Sequence, residues 1–462
     1  MDTMPRSILS TSRHLAVLAI AAIAPLLAGT GAEAQNLPLI RDSEIETLLA
    51  DYARPIFKTA GLGSNKIAMR IVHEDSFNAF VVDGRSVFIN TGTLTISDTP
   101  NQVIGVIAHE TGHIAGGHMA AIRARIAKDQ TRALIAQILG IGLLVAGGAA
   151  GNHDLGGAGQ GVLFGGTELV QRGLLAERRQ QESAADQAGI KFLEATHQSG
   201  RGMLETFERF AQQEYISDAQ KDAFVRSHPV ATDRLARLRS LVEQSPYYNA
   251  KDDPVLLLRH DLMRAKLSGY LERPAIIFNR YPPSNTSLPA RYARALAQFF
   301  KGGDGALETS LAGMDGLIHD RPDIPWFWEV KGDILTRAGR KGDAIAPLRQ
   351  ALKLAPEANL IRVQLADALQ SLGDPVSVNE SVDLLRKSLI DDQNGRAYRL
   401  LATAYYKQGK GPEADAAQAQ AEFQEGDLNK AQIFAKRAQT KLKEGSPDWI
   451  KTDDIINYKP QT

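Results

Sequence analysis

His109-Glu110-Thr111-Gly112-His113 carries two imidazoles four residues apart, with a carboxylate beside the first. On a helix, positions i and i+4 lie one turn apart on the same face, so both rings can aim at one ion. Zinc accepts imidazole nitrogen, and a site with three protein donors keeps a position for water. Glu110 is well placed to take a proton from that water. The spacing points to metal-assisted hydrolysis, provided that the stretch is helical and a third donor exists.

The flanking residues favour a helix. Thr99 suits the N-cap, Pro100 suits the first helical position, and Gln102 completes a capping box. Val103, Ile104, Val106 and Ile107 make this helix apolar on most sides, so it should be buried. Upstream, Asp42–Lys58 has helical periodicity and Lys66–Val72 alternates like a strand. Ala79–Val82 and Ser86–Asn90 flank Asp83-Gly84-Arg85, which is a hairpin signal. A helix buried under a hairpin is a rigid place for a catalytic site.

The chain has no cysteine, so only His, Asp and Glu side chains remain as metal donors. A histidine at position 119 would complete a longer HExxHxxGxxH pattern, but that position is Met119. His118 would lie about 140° around a continued helix from His113, so it reads as a helix-terminal or surface histidine. A downstream carboxylate fits better. Glu182 and Asp186 are i and i+4 on a predicted helix, so both face one way. Glu182 can bind zinc while Asp186 holds a ligating imidazole by its free N–H. Ala184 and Ala185 permit close packing against the motif helix. Without the HExxH motif, such a pair would read as a solvated helix face. Arg178-Arg179 reads as a solvated patch, and His73, His153, His197, His260 and His319 as structural.

HETGH, then Glu182 and Asp186, then Ser227-His228-Pro229 with Arg234 beyond, form a joint pattern. With Asn78-Ala79-Phe80 and Phe88-Ile89-Asn90-Thr91-Gly92, it resembles the HtpX-like and CAAX-prenyl-protease zincins. Asp83-Gly84-Arg85 departs from the Pro-Gly-Gly that the family often has. The resemblance implies one zinc per chain, held by His109, His113 and Glu182, with Glu110 as general base. The mechanism needs one more donor to the transition-state oxyanion, and His228 is the candidate; the alternatives are a fourth zinc ligand that displaces the water and a loop histidine with no role. Pro229 keeps the His228 segment extended or turned. Arg234 would anchor that loop through Asp186 or another buried carboxylate.

Lys plus Arg and Asp plus Glu both total 53, so no net field favours nucleic acid, which is not an expected partner. Arg6, Arg13 and His14 precede the apolar run Leu15–Leu27 and an Ala32-Glu33-Ala34 cleavage site. This reads as a signal peptide leading to the periplasm of a Gram-negative cell. Ala133–Ala150 is almost wholly apolar and Gly147–Gly166 is glycine-rich. That segment reads as a buried helix with a loop over the cleft, the alternative being peripheral membrane contact over 133–166.

Ser245-Pro246-Tyr247-Tyr248-Asn249 breaks the pattern. Beyond it, Trp328, Gly332, Leu335, Ala344, Leu348, Ala351 and Pro356 match the tetratricopeptide (TPR) pattern, and further copies follow. Helix pairs of this kind must stack to bury their apolar faces. The expected layout is a signal peptide (1–34), an α+β zincin-type metalloprotease domain (35–249), an all-α TPR solenoid (250–450) and a C-terminal tail (451–462).

The functional expectation is a zinc endopeptidase acting on unfolded or misassembled outer-membrane or periplasmic proteins. The solenoid would bind clients or, by the resemblance, the β-barrel assembly complex. The competing expectations are a TPR chaperone or scaffold with a silent zinc site, and a membrane-integrated prenyl-type protease.

Overall fold

The computed structural model describes residues 37–63, 67–82, 84–125, 127–128, 175–211 and 223–460. The expected signal peptide and the 133–166 segment lie outside these residues. Leu39–Thr462 form one compact unit.

Four strands form one sheet in the order β1 (Leu39–Ile40), β2 (Ala68–Val72), β4 (Ser86–Asn90), β3 (Ala79–Val81). β3 and β4 pair antiparallel, as the hairpin reading requires, while β2 runs parallel to β4. β3 is therefore an edge. Val87 and Ile89 of β4 point into the core, and the alternating Phe80 and Phe88 stack on the other face, 5.2 Å apart.

The first helix, Ser43–Thr59, is capped by Asp42, whose Oδ1 accepts from Ile45 N at 3.0 Å. It buries Ile45, Leu48, Leu49, Tyr52 and Ile56 on one face. The motif helix, Pro100–Ala115, starts at the expected N-cap Thr99. The capping box does not form. The Thr99 side chain makes no cap bond, and Gln102 Oε1 accepts from Asp98 N instead, at 2.8 Å. The helix Arg201–Ala211 crosses the motif helix closely: a Cβ on Gly105 would meet Met203 N at 2.8 Å.

The C-terminal half stacks helix pairs. Pro325–Arg337 pairs with Lys341–Leu354, Asn359–Gln370 with Pro375–Asp391, and Gly395–Lys407 with Gly411–Gln424. Gly332 seats Leu348 in the first of these pairs: a Cβ there would meet Leu348 Cγ at 2.6 Å. This is the small-against-large packing that the repeat pattern encodes. The stretch from 451, expected as a tail, instead continues the helix Pro447–Asn457. Its Thr452 and Ile455 are buried, and Ile455 joins the apolar cluster of Leu428–Gln439.

The Pro254–Leu271 helix serves both halves. Met263 and Leu267 belong to the core around the motif helix, while Leu262 and Ala265 belong to the solenoid core. Among the described residues, no helix is long and apolar enough to cross a membrane.

Candidate metal centre

Close backbone contact brings the carboxylates to the motif helix. The chain is helical over 175–195, and a Cβ on Gly112 would lie 2.7 Å from Ala185 O. A Cβ on Gly189 would lie 3.2 Å from His109 N. Gly112, Ala185 and Gly189 thus let the two helices touch along their backbones. Ala184, expected at this contact, is exposed on the opposite face of its helix. Ala185 and Asp186 both face the motif helix, which leaves Ala184, about 100° further round, outside that face.

His109, His113, Glu182 and His228 converge, with one donor atom from each within 4.8 Å of the others. All four residues are buried. His109 Nε2 lies 3.1 Å from His113 Nε2, 3.2 Å from His228 Nδ1 and 3.4 Å from Glu182 Oε2. Glu182 lies 3.5 Å from His113 Nε2 and 3.1 Å from His228 Nδ1. Donors about 2.0–2.1 Å from a tetrahedral zinc stand roughly 3.3 Å apart, so this set fits the ion. Three imidazole nitrogens and a carboxylate facing one another in a dry pocket also call for a positive charge between them.

Glu110 is buried beside the cluster. Its Oε1 lies 3.3 Å from His228 Nε2 and makes no hydrogen bond among the described residues. Burial pushes its pKa up, against the pull of His228 and His109. Asp186 Oδ1 lies 3.0 Å from His109 Nδ1, on the side of that ring away from the cluster. Arg234 grips Asp186 with two hydrogen bonds, Nε to Oδ2 at 2.6 Å and Nη2 to Oδ1 at 2.8 Å. Its Nη1 donates to Pro229 O at 2.9 Å and lies 3.0 Å from Glu182 Oε2. Arg234 therefore ties the His228 loop to both carboxylates.

Charge is shared unevenly between the two motif histidines. Burial lowers the pKa of His109, but Asp186 and Glu182 outweigh it and hold the value at about 9. Burial takes His113 down to about 4 despite Glu182. Burial would raise Glu182, but His228, His109 and His113 hold it well below the usual carboxylate range.

His228 follows the short helix Ala223–Ser227, whose Phe224 O accepts from His228 N at 2.7 Å. While Nδ1 joins the cluster, Nε2 lies 3.3 Å from Ala79 O on the edge strand. Arg178, read as a solvated residue, instead donates to Ser227 O at 3.0 Å and holds this segment. His118, read as a helix-terminal or surface histidine, is buried with its Nδ1 3.0 Å from His113 Nδ1. The motif helix ends at the C-cap Gly116, so the angle from a continued helix does not apply. The Gly116-Gly117 pair was the signal for that break. Met119 packs on the core. His260 is buried among core elements, bonded to Tyr52 and Ser97 O, and burial lowers its pKa to about 4.

Residues 40–242 match the model of peptidase family M48. The chain is 24% identical over 434 residues to the beta-barrel assembly-enhancing protease of Escherichia coli (strain K12). That match covers 92% of this chain and 85% of the relative. The protease of the same name from Yersinia pestis is 23% identical, over 91% of this chain and 85% of its own length. Metalloprotease LoiP of Escherichia coli (strain K12) is 24% identical, over 46% of this chain and 86% of its own length. Among solved structures, MamA overlaps 38% of this chain and 94% of its own at 20% identity, with a TM-score of 0.30.

Proposed function

We propose that this chain, whose residues 40–242 form an M48 metallopeptidase domain, is a zinc endopeptidase of the cell envelope. Its substrates would be unfolded or misassembled proteins encountered during outer-membrane β-barrel assembly, and its location the periplasm. The observation that carries the catalytic part is the buried donor set of His109, His113, Glu182 and His228, converging within 4.8 Å beside Glu110. The names of the full-length relatives support the assembly role.

His109, His113 and Glu182 would hold the ion throughout. Zinc bound there supplies Lewis acidity, polarising the scissile carbonyl and acidifying a water. Glu110 is the general base: buried and, among the described residues, without a hydrogen bond at Oε1, it takes the proton from the attacking water and passes it to the leaving amine. Asp186 Oδ1, 3.0 Å from His109 Nδ1, would orient that ring on the side away from the ion, and Arg234 fixes Asp186.

Of the two roles for His228, the geometry supports that of fourth ligand in a resting state. Four protein donors leave no room for water, which is how closed zinc sites differ from open ones. An extended substrate would add to the β3 edge, and its backbone would compete for Ala79 O, where His228 Nε2 now sits. Opening the site and admitting substrate would therefore be one movement of His228.

Glu110→Gln tests the mechanism. The variant should keep zinc and lose cleavage of an unfolded protein by about 10²–10⁴-fold. Cleavage at the wild-type rate would refute the assignment. His228→Ala should keep zinc through three ligands and cleave faster than wild type; a slower variant would return His228 to the oxyanion role. The closed site also favours a second reading, in which the solenoid acts as a chaperone and the peptidase is silent. Full rescue of outer-membrane assembly in cells by Glu110→Gln would support it.

A further inference from the structure

We infer that His118 is a positioning residue for His113, the counterpart of Asp186 for His109. The inference rests on the metal reading above, because it concerns how one ligand is held.

His113 uses Nε2 toward the cluster, facing His109 Nε2 at 3.1 Å and Glu182 Oε1 at 3.5 Å. An imidazole that offers the Nε2 lone pair to a metal carries its proton on Nδ1 and needs an acceptor there. The atom facing His113 Nδ1 is His118 Nδ1, at 3.0 Å, with the rings edge-on at 83°. Two Nδ1 atoms at that distance share one proton. His118 then accepts through Nδ1 and keeps its own proton on Nε2.

Two glycines make this placement possible, each for a different reason. Gly117 has φ +63, a left-handed conformation that turns the chain out of the motif helix and back. Gly116 keeps helical angles but lies under the His118 ring: a Cβ there would fall 2.3 Å from His118 Nε2. The Ile114-Ala115-Gly116-Gly117-His118 run therefore lays a buried imidazole over the outer side of the second ligand. It supplies a neutral acceptor where His109 has a carboxylate. The difference fits the surroundings, because Arg234 balances the charge of Asp186, whereas His118, as a neutral ring, needs no balancing cation.

The test is zinc affinity measured by competition with a chromogenic chelator, on the full chain, for wild type, His118→Ala, His118→Asn and Gly116→Ala. His118→Ala should bind zinc about 10–100-fold more weakly while keeping its circular dichroism and melting profile in the metal-free state. His118→Asn places an amide oxygen near the Nδ1 position and should recover most of the loss. A role in packing alone predicts no such rescue. Gly116→Ala keeps both histidines in the sequence but pushes the His118 ring away from His113, so it should weaken binding too. Combining it with His118→Ala should add nothing further. Unchanged affinity in His118→Ala, with wild type binding zinc tightly, would overturn the positioning role and leave the metal site intact. Failure of wild type itself to bind zinc would instead remove the metal reading on which it rests.

Discussion

Lys266 and His109 are both fully buried among carboxylates, yet the positive charge sits differently in their surroundings. Lys266 Nζ stands between Asp42 at 2.8 Å, Glu329 at 2.9 Å and Glu44 at 3.4 Å. Gln364 and Tyr292 bond two of these acids, at 2.8 and 3.1 Å. This cluster contains its own cation. Its excess acid is handled by protons: burial pushes Glu329 up, and takes Glu44 to about 7. Around His109 the centre is made of lone pairs, and the one arginine, Arg234, grips the carboxylates from outside. A buried acid cluster with a central ammonium is complete as it stands. One whose imidazoles face each other asks for an ion. The first joins the opening helix, the Pro254–Leu271 helix and the repeats; the second is the centre proposed above to do chemistry.

Four perturbations sharpen this contrast. Chelation should have the largest effect. It should abolish proteolysis and lower the melting temperature, with both restored by one equivalent of zinc, since a ligand bound only to the folded state stabilises it. Loss of activity without recovery on adding zinc would count against the site. Lys266→Ala should destabilise by about 3–5 kcal/mol in denaturant unfolding, because it strands buried acids. Zinc stoichiometry in the folded protein should not change; a drop would mean that the two clusters are one system. Asp186→Asn should weaken zinc binding by about 10–100-fold with a smaller change in melting temperature. Equal affinity would show that Asp186 serves Arg234 alone.

Glu44→Gln should have an effect that vanishes at low pH. Glu44 has a folded pKa of about 7 against 4.5 in the open chain. Its proton-linked contribution is full below pH 4.5 and is lost as pH rises to 7. A permanently neutral glutamine should therefore stabilise by up to about 3 kcal/mol at about pH 8 and match wild type near pH 4. Melting curves at the two pH values decide it. A gain of equal size at both would show that Glu44 is not proton-linked.

Local spacing made much of the metal site readable. His109 and His113 needed only the helical repeat, as did Glu182 and Asp186, and each pair lands on one face. The hairpin was legible because Asp-Gly sits between two β-rich runs, although its residue 83 lies outside the described residues. The surface reading of His118 fails because it extends a helix through Gly116-Gly117, where the chain turns. Arg178 reads as solvated in the sequence because its partner, Ser227 O, lies 49 residues away. Lys266 gives no local signal for the same reason: its acids lie at Asp42, Glu44 and Glu329.

By itself the sequence determined which residues share a helix face, where helices start, and that repeated helix pairs must stack. Those properties depend on neighbours within a turn or two, and the chain order contains them. Only the tertiary structure decided that His228 closes the donor set, that His118 lies on His113, and that a buried lysine joins the two halves. Each depends on the distance between segments that local periodicity does not relate, and packing sets that distance.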